Sequence, residues 1–330
     1  MKKFCGILFL ICALCAVAFA GGRGDKTNVK KTSKDRLKVY AVSVMSGGAA
    51  WGQFEKGFME ACKAAGWEGH YLAPSASNVD TEMVNLLETA ITNGADILFP
   101  VVTNEDMFAD VLIRARERKI PMISVAGGSE KYTDALIGTD PQSLGEDMAK
   151  ALVRAMGDKP IYVAPMQTRL VNPVQDIQRQ AFEDTLKKLR PNAVIVDRLE
   201  CDSNAMIAAD KFAALKLGHP ELNSMISLDS YAGLGAAAFV EEKGLQGQFY
   251  VVGIDDAPEI LRAVQKGTMS CAVAQMWYQF GLECVEIAKN VYDNYGDTAK
   301  YNYDNRIGTA IIFPEDVNDW VKKYNIDMSN

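Results

Sequence analysis

Histidine is nearly absent from these 330 residues: only His70 and His219 occur, and both read as turn residues. Neither a GxSxG nor an HExxH run is present, so the usual nucleophile–base and zinc-hydrolase arrangements have no carrier. Cysteine is sparse beyond the first twenty residues. Cys62, Cys201, Cys271 and Cys284 show no metal-ligand spacing and no CxxC, which argues against a zinc site. Basic residues are outnumbered, 35 against 42 acids, for a formal net charge of −7, a poor basis for nucleic-acid binding. Long apolar runs are missing too, apart from residues 4–19, so no spanning helix is expected downstream.

That one run is informative. Lys2 and Lys3 precede it and Ala18-Phe19-Ala20 closes it, which is the n-region, h-region and small-residue cleavage site of a secretory signal peptide, residues 1–20. Removing it takes away two lysines and no acid, leaving a net charge of −9. An uncleaved anchor is one alternative. A lipoprotein acylated at Cys12 or Cys15 is another, although Ile11 and Leu14 stand where a lipobox wants a small residue. In each case the protein is exported, periplasmic or membrane-tethered on the extracytoplasmic side. Residues 21–36 are polar, basic and glycine-bearing, and read as a flexible tether. The Arg-Gly-Asp at 23–25 within it reads as a coincidence.

From Leu37 strand and helix patterns alternate. Val39–Val44, GADILFPVV and IPMISVA read as strands. Phe54, Phe58 and Cys62 mark one helix face, closed by Gly66, and Met83, Leu86, Leu87, Ala90 and Ile91 mark another, capped by Asn78. Asn104 reads as the cap of the next helix. The grammar then repeats. A helix runs from Pro141 to Met156, IYVAPM is a strand, and Asn172-Pro173 opens a helix to Leu189. AVIVDRL and SMISLD are expected strands, with helices over 205–217 and 232–242. A helix from Tyr278 to Tyr292, a strand TAIIF and a helix over 315–323 end the chain. Two such blocks in tandem imply an α/β protein of two doubly wound parallel-sheet lobes.

The organising stretch is Phe249–Gln275. FYVVGI suits a strand buried on both faces. Asp255, Asp256 and Pro258 open a short helix that Gly267 stops, and SCAVAQ is a strand ending in Gln275. Ligands of open α/β sheets bind outside the carboxyl ends of the strands, where Asp255 and Gln275 stand. A helix cap and a solvated strand end are the plainer readings of the same two residues.

VVGIDDAPEILRAVQKGTMSCAVAQ resembles the strand–Asp–helix–strand–Gln segment of type I periplasmic sugar-binding proteins, the ribose and galactose binders of ABC importers. GADILFPV, ERKIPMISV and ALIGTDPQSLGEDMAK extend the resemblance over residues 37 to about 325. It implies three crossover strands between lobes, near 138–141, 275 and 306–308. The N-terminal lobe would be 37–139 plus 276–306, and the C-terminal lobe 140–275 plus 307–330. Cys62 and Cys284 would share a lobe, with buried free thiols expected over a bridge.

The resemblance also implies that Asp255 and Gln275 bond ligand hydroxyls, and that Trp51, in GGAAWGQF, stacks on the sugar face. Packing at a helix start is the other reading of Trp51. On the C-terminal side the cleft would gather Gln167 and Arg169 after IYVAPM, Arg179, Asp229 after SMISL, and Tyr231 beside it. Two departures stand out. Ala126-Gly127-Gly128 replaces the polar pair usual in the family after this strand, leaving more room and less charge. Gln178 stands where an Arg is usual, with Arg179 one residue later. A polyol, a furanone-type signal or a nucleoside therefore stays open as cargo beside a sugar.

The expected function is solute capture for an ABC importer, with permease subunits as partners, no enzymatic activity, no cofactor, no metal and a monomeric state. The alternative is a ligand sensor feeding a chemoreceptor or sensor kinase. Residues 233–238, GLGAAA, match the GxGxxA of dinucleotide folds, but no acid follows about 20 residues on, where Gln248-Phe249 stands. A repressor of this fold would carry an N-terminal helix-turn-helix in place of the leader.

Overall fold

The buried apolar runs fold as parallel strands, and the periodic segments between them fold as helices. The structure is a computed structural model describing residues 31–330 except 49, 77, 78, 325 and 330. The expected leader, Cys12, Cys15 and the Asn78 cap lie outside the described residues. The first half runs β1 (Lys38–Val42), α1 (Trp51–Ala65), β2 (Glu68–Leu72), α2 (Asp80–Thr92), β3 (Ile97–Pro100), α3 (Glu105–Glu117), β4 (Ile123–Val125) and β5 (Ala135–Thr139). The second runs α4 (Pro141–Met156), β6 (Tyr162–Gln167), α5 (Pro173–Leu189), β7 (Val194–Ile195), β8 (Leu199–Glu200), α6 (Ala205–Gly218), β9 (Ser224–Ser227), α7 (Ser230–Lys243), β10 (Tyr250–Ile254), α8 (Pro258–Gln265) and β11 (Cys271–Ala274). Then come α9 (Trp277–Asp293), β12 (Asp304–Ile307), β13 (Ala310–Ile312) and α10 (Val317–Tyr324).

Strand β1 lies between β2 and β3, and a parallel bridge from Leu98 to Met122 continues this sheet into β4, β5 and β12. The second sheet runs β13-β11-β10-β9-β6-β7, with β8 also on β6. The two paths are the same, with β6, β9, β10 and β11 standing for β1, β3, β4 and β5. One difference is that β13 joins β11 antiparallel, whereas β12 joins β5 parallel. One core draws on Leu37 to Ile137 and on Trp277 to Val291 of α9. Two further clusters, spanning Leu144 to Val317, pack around the second sheet. The chain passes between these bodies after Thr139, after Ala274 and between Ile307 and Ala310.

Asn104 and Asn172 do cap α3 and α5, accepting from Met107 N and Gln175 N. Gly66 and Gly267, at φ of +74° and +70°, end α1 and α8. The described cysteines are four buried free thiols. Other expectations need correction. AVIVDRL is not one strand but two short pairings with β6, because it is an edge with Val194 exposed. Residues 70–72, HYL, which also read as a short strand, do lie in β2, so His70 is not in a turn, and its ring stacks on Tyr40 at 4.4 Å. Ser33, within the expected tether, is already docked: its backbone N and Oγ donate to Asp293, and Trp67 Nε1 donates to its carbonyl.

The glycines of the GxGxxA match serve packing. A Cβ on Gly235 would stand 2.4 Å from Ala205 O, so the small residue lets α7 lie against α6. Gly127 and Gly128 also stand at close approaches. A Cβ on Gly127 would crowd Val102 O at 3.0 Å, and one on Gly128 would collide with Ser124 Oγ.

Candidate functional site

Beyond the carboxyl end of β10 the chain turns through Asp255, a non-glycine residue at φ +73°. This is not a helix cap: α8 starts at Pro258, and its N-cap position is Ala257, with no side-chain bond. Asp255 is instead a buried junction. Its Oδ1 accepts from Gln275 Nε2 at 2.8 Å and from Trp277 Nε1 at 2.7 Å. Its Oδ2 accepts from Ser230 Oγ. Burial raises its pKa above the usual carboxylate range, while these three donors pull it back down.

Gln275 follows β11, and Trp277 opens α9 after Met276, another left-handed residue at φ +66°. The Trp277 ring lies 4.7 Å from that of Trp51, tilted by 52°. Trp51 is the first residue of α1, half-buried, where the loop that follows β1 ends. A Cβ on Gly48 of that loop would come 3.5 Å from the Tyr231 hydroxyl, so Tyr231 of α7 faces the same loop.

Asp229 is the N-cap of α7. Oδ1 accepts from Tyr231 N at 2.9 Å and Ala232 N at 3.2 Å, and Oδ2 from Thr168 Oγ1 and Ser203 Oγ, both at 2.7 Å. Gln175 ties Thr168 to α5, donating to Thr168 Oγ1 at 3.0 Å and accepting from Thr168 N at 2.9 Å. Gln167, fully buried at the end of β6, accepts from Arg179 Nε at 2.9 Å and donates to Asp176 at 3.1 Å. Arg179 also pairs with Glu183 at 3.2 Å and Asp176 at 3.5 Å.

Of the residues expected in the site, Asp255 and Gln275 touch directly. Trp51 joins them through Trp277, and Asp229 through its neighbour Ser230. Gln167 and Arg179 form their own pair. Arg169 accepts from Gln167 Nε2 at 3.3 Å only through its carbonyl, and its side chain stands apart, 73% exposed and bonded to Asp202 at 3.1 Å. Trp277, Ser230 and Thr168 escaped the sequence reading. Each immediately follows or nearly follows a strand-end polar residue, which is the signal that marks them. Among the described residues, five of the six non-glycine residues with positive φ, Ala126, Asp202, Ser203, Asp255 and Met276, also follow strand ends. Strain of this kind, about 1–3 kcal/mol each, gathers where the surrounding structure holds it for function.

No group of three His, Cys, Asp or Glu among the described residues is arranged to hold a metal ion. Two shallow surface depressions, one including Asn290 and Tyr301 and the other Met59 and Trp67, share no residue with this cluster. No helix among the described residues is long and apolar enough to cross a membrane.

The chain is similar to known proteins. The ribose import binding protein of Salmonella typhimurium is 22% identical over 230 residues, covering 70% of this chain and 76% of that protein. The D-allose-binding periplasmic protein of Escherichia coli is 22% identical over 237 residues, covering 68% and 75%. The structure of a periplasmic solute-binding protein of an ABC transporter from Actinobacillus succinogenes, solved with bound D-allose, superposes with a TM-score of 0.78 at 17% identity. It covers 86% of this chain and 100% of that one, a likeness of fold. The periplasmic binding protein domain itself matches residues 40–296. With two sheets of one strand order, three passages between them and polar groups gathered at the strand ends, the chain belongs to the periplasmic binding protein family.

Proposed function

We propose that this chain is the extracytoplasmic solute-binding protein of an ABC importer and that its cargo is a neutral monosaccharide. The ligand enters between the two sheets, bonds to one body, and hinge closure about the three passages adds the contacts of the other while expelling water. The lobes that hinge are residues 37–139 with 276–306, and 140–275 with 307–330. The closed form is what permease subunits recognise. The observation that carries this reading is the Asp255–Gln275 pair, which sets a carboxylate and an amide side by side at the ends of β10 and β11.

In this site Gln275 and the remaining Oδ2 lone pair of Asp255 orient hydroxyls, Trp51 supplies the stacking face, and Tyr231 closes over it. Asp229 anchors Thr168, Ser203 and the start of α7 behind them, and Gln167 with Arg179 holds the end of β6. The charges near the strand ends have protein partners, as in the Arg179 and Arg169 pairs, which supports an uncharged ligand. Relatives whose names specify ribose import and D-allose binding support a sugar and an import role over a sensory one.

The test is a thermal-shift screen of refolded, ligand-stripped protein against pentoses, hexoses, polyols, nucleosides and amino acids. A sugar at a hundredfold excess over its dissociation constant adds about 2.7 kcal/mol of stability and is expected to raise the melting temperature clearly. A response to nucleosides alone, or to none of the panel, overturns the assignment of cargo.

A further inference from the structure

We infer that Trp277 is the positioning residue of this site, one indole that sets both the hydroxyl-binding carboxylate and the stacking face. The inference rests on the site reading just proposed. A carboxylate oxygen has two lone pairs. Asp255 Oδ1 spends both, on the Trp277 indole N–H at 2.7 Å and the Gln275 amide at 2.8 Å, while Ser230 takes one of the two on Oδ2. A single acceptor position on Oδ2 is left for a ligand. Its direction is set by three donors, which come from the start of α7, the end of β11 and the start of α9.

The other side of the same indole faces Trp51. The Trp277 ring is only 6% exposed and is held between Trp51, at 4.7 Å, and Phe280, at 5.3 Å and 67°. Trp51 in turn packs on two rings, Trp277 and Phe54, the latter at 5.9 Å and 82°, so its plane depends on Trp277 on one of its sides. The side chain also joins the two bodies of the protein. Trp277 packs in the core shared with β1 to β5, while Asp255 extends from the seven-stranded sheet. Both ends of the contact carry backbone strain, at Asp255 itself and at Met276 next to Trp277. Tryptophan suits this place because it alone combines an edge N–H that only donates with a face wide enough to support another indole. Phenylalanine would keep the face and lose the donor.

The experiment uses Trp277→Phe, Asp255→Asn and their double variant. Trp67→Phe serves as a control, since it is a buried indole bonded to Ser33 O away from the site. Indole N–H resonances of the ligand-free protein are read first. Asp255→Asn is expected to move the Trp277 signal and leave Trp67 in place, and Trp277→Phe is expected to move that of Trp51. Calorimetry with D-ribose and D-allose follows. Trp277→Phe is expected to weaken binding about tenfold, the scale of one hydrogen bond to a charged group, with a melting-temperature change no larger than that of Trp67→Phe. The double variant is expected to bind no worse than the weaker single one, because Trp277 acts on the ligand through the carboxylate that Asp255→Asn replaces.

Additive losses, wild-type affinity in Trp277→Phe, or a Trp51 signal indifferent to residue 277 would overturn the inference. If neither sugar binds the wild type, the choice of cargo fails separately, and the indole resonances decide whether Trp277 sets Asp255 and Trp51.

Discussion

Asp255 and Asp256 are neighbours in sequence, both buried, and each accepts an indole N–H from a different helix: Trp277 at 2.7 Å and Trp320 at 3.0 Å. Their settings differ. Asp255 turns toward the junction of the two bodies, where three donors converge and the backbone is left-handed. Asp256 turns under α10 and has Trp320 as its side-chain donor, and burial pushes its pKa up to about 6, with the charge of Asp255 adding to the rise. A buried acid with a tryptophan partner is thus no mark of a site by itself. The converging donors and the strained backbone distinguish the one from the other.

The comparison can be broken most directly at Asp255. Alanine there strands Ser230, Gln275 and Trp277 without an acceptor and is expected to lower the unfolding free energy by roughly 3–5 kcal/mol, while Asn, which keeps an oxygen, costs less than half as much. Equal costs for the two in denaturant titration would mean that the network does not hold this turn together.

A smaller effect of opposite sign is expected at Asp256. A carboxyl whose folded pKa is raised contributes stability that is fully present below the ordinary carboxylate range and is lost as pH rises toward about 6. Asp256→Asn removes that slope. It is expected to stabilise the protein by about 2–3 kcal/mol at neutral pH and by nothing in acid, as measured by melting at both. A gain independent of pH would break the argument.

Next in size, Trp320→Phe takes the indole donor from Asp256. The expected loss is about 2 kcal/mol at neutral pH, shrinking in acid where the carboxyl is protonated. Arg169→Ala should do least, changing stability by less than about 0.5 kcal/mol, because its pair with Asp202 is exposed. A loss of sugar affinity in that variant would bring Arg169 back into the site.

Much of this was legible in the residues. The alternation from Leu37 onward, the Asn104 and Asn172 caps and the Gly66 and Gly267 stops depend on periodicity and backbone preference within a few positions, and all are found in the structure. Asp255 and Gln275 were legible as strand-end polar groups. The broken edge at 193–199 was not, because β propensity does not say how many partners a strand will find, and this one finds β6 alone. Nor was the packing role of Gly127, Gly128 and Gly235, since the backbone and side chains they admit come from other elements.

The chain's own order of residues determined two α/β blocks and a polar group at each critical strand end, because those are local properties of short segments. Which groups those polar atoms would satisfy was decided only in three dimensions. Asp255 meets Ser230, Gln275 and Trp277 across separations of 25, 20 and 22 residues, and it does so because β9, β10 and β11 lie side by side and α9 begins where β11 ends. A buried carboxylate must find its donors wherever the sheet brings them, and sequence spacing carries no record of that choice.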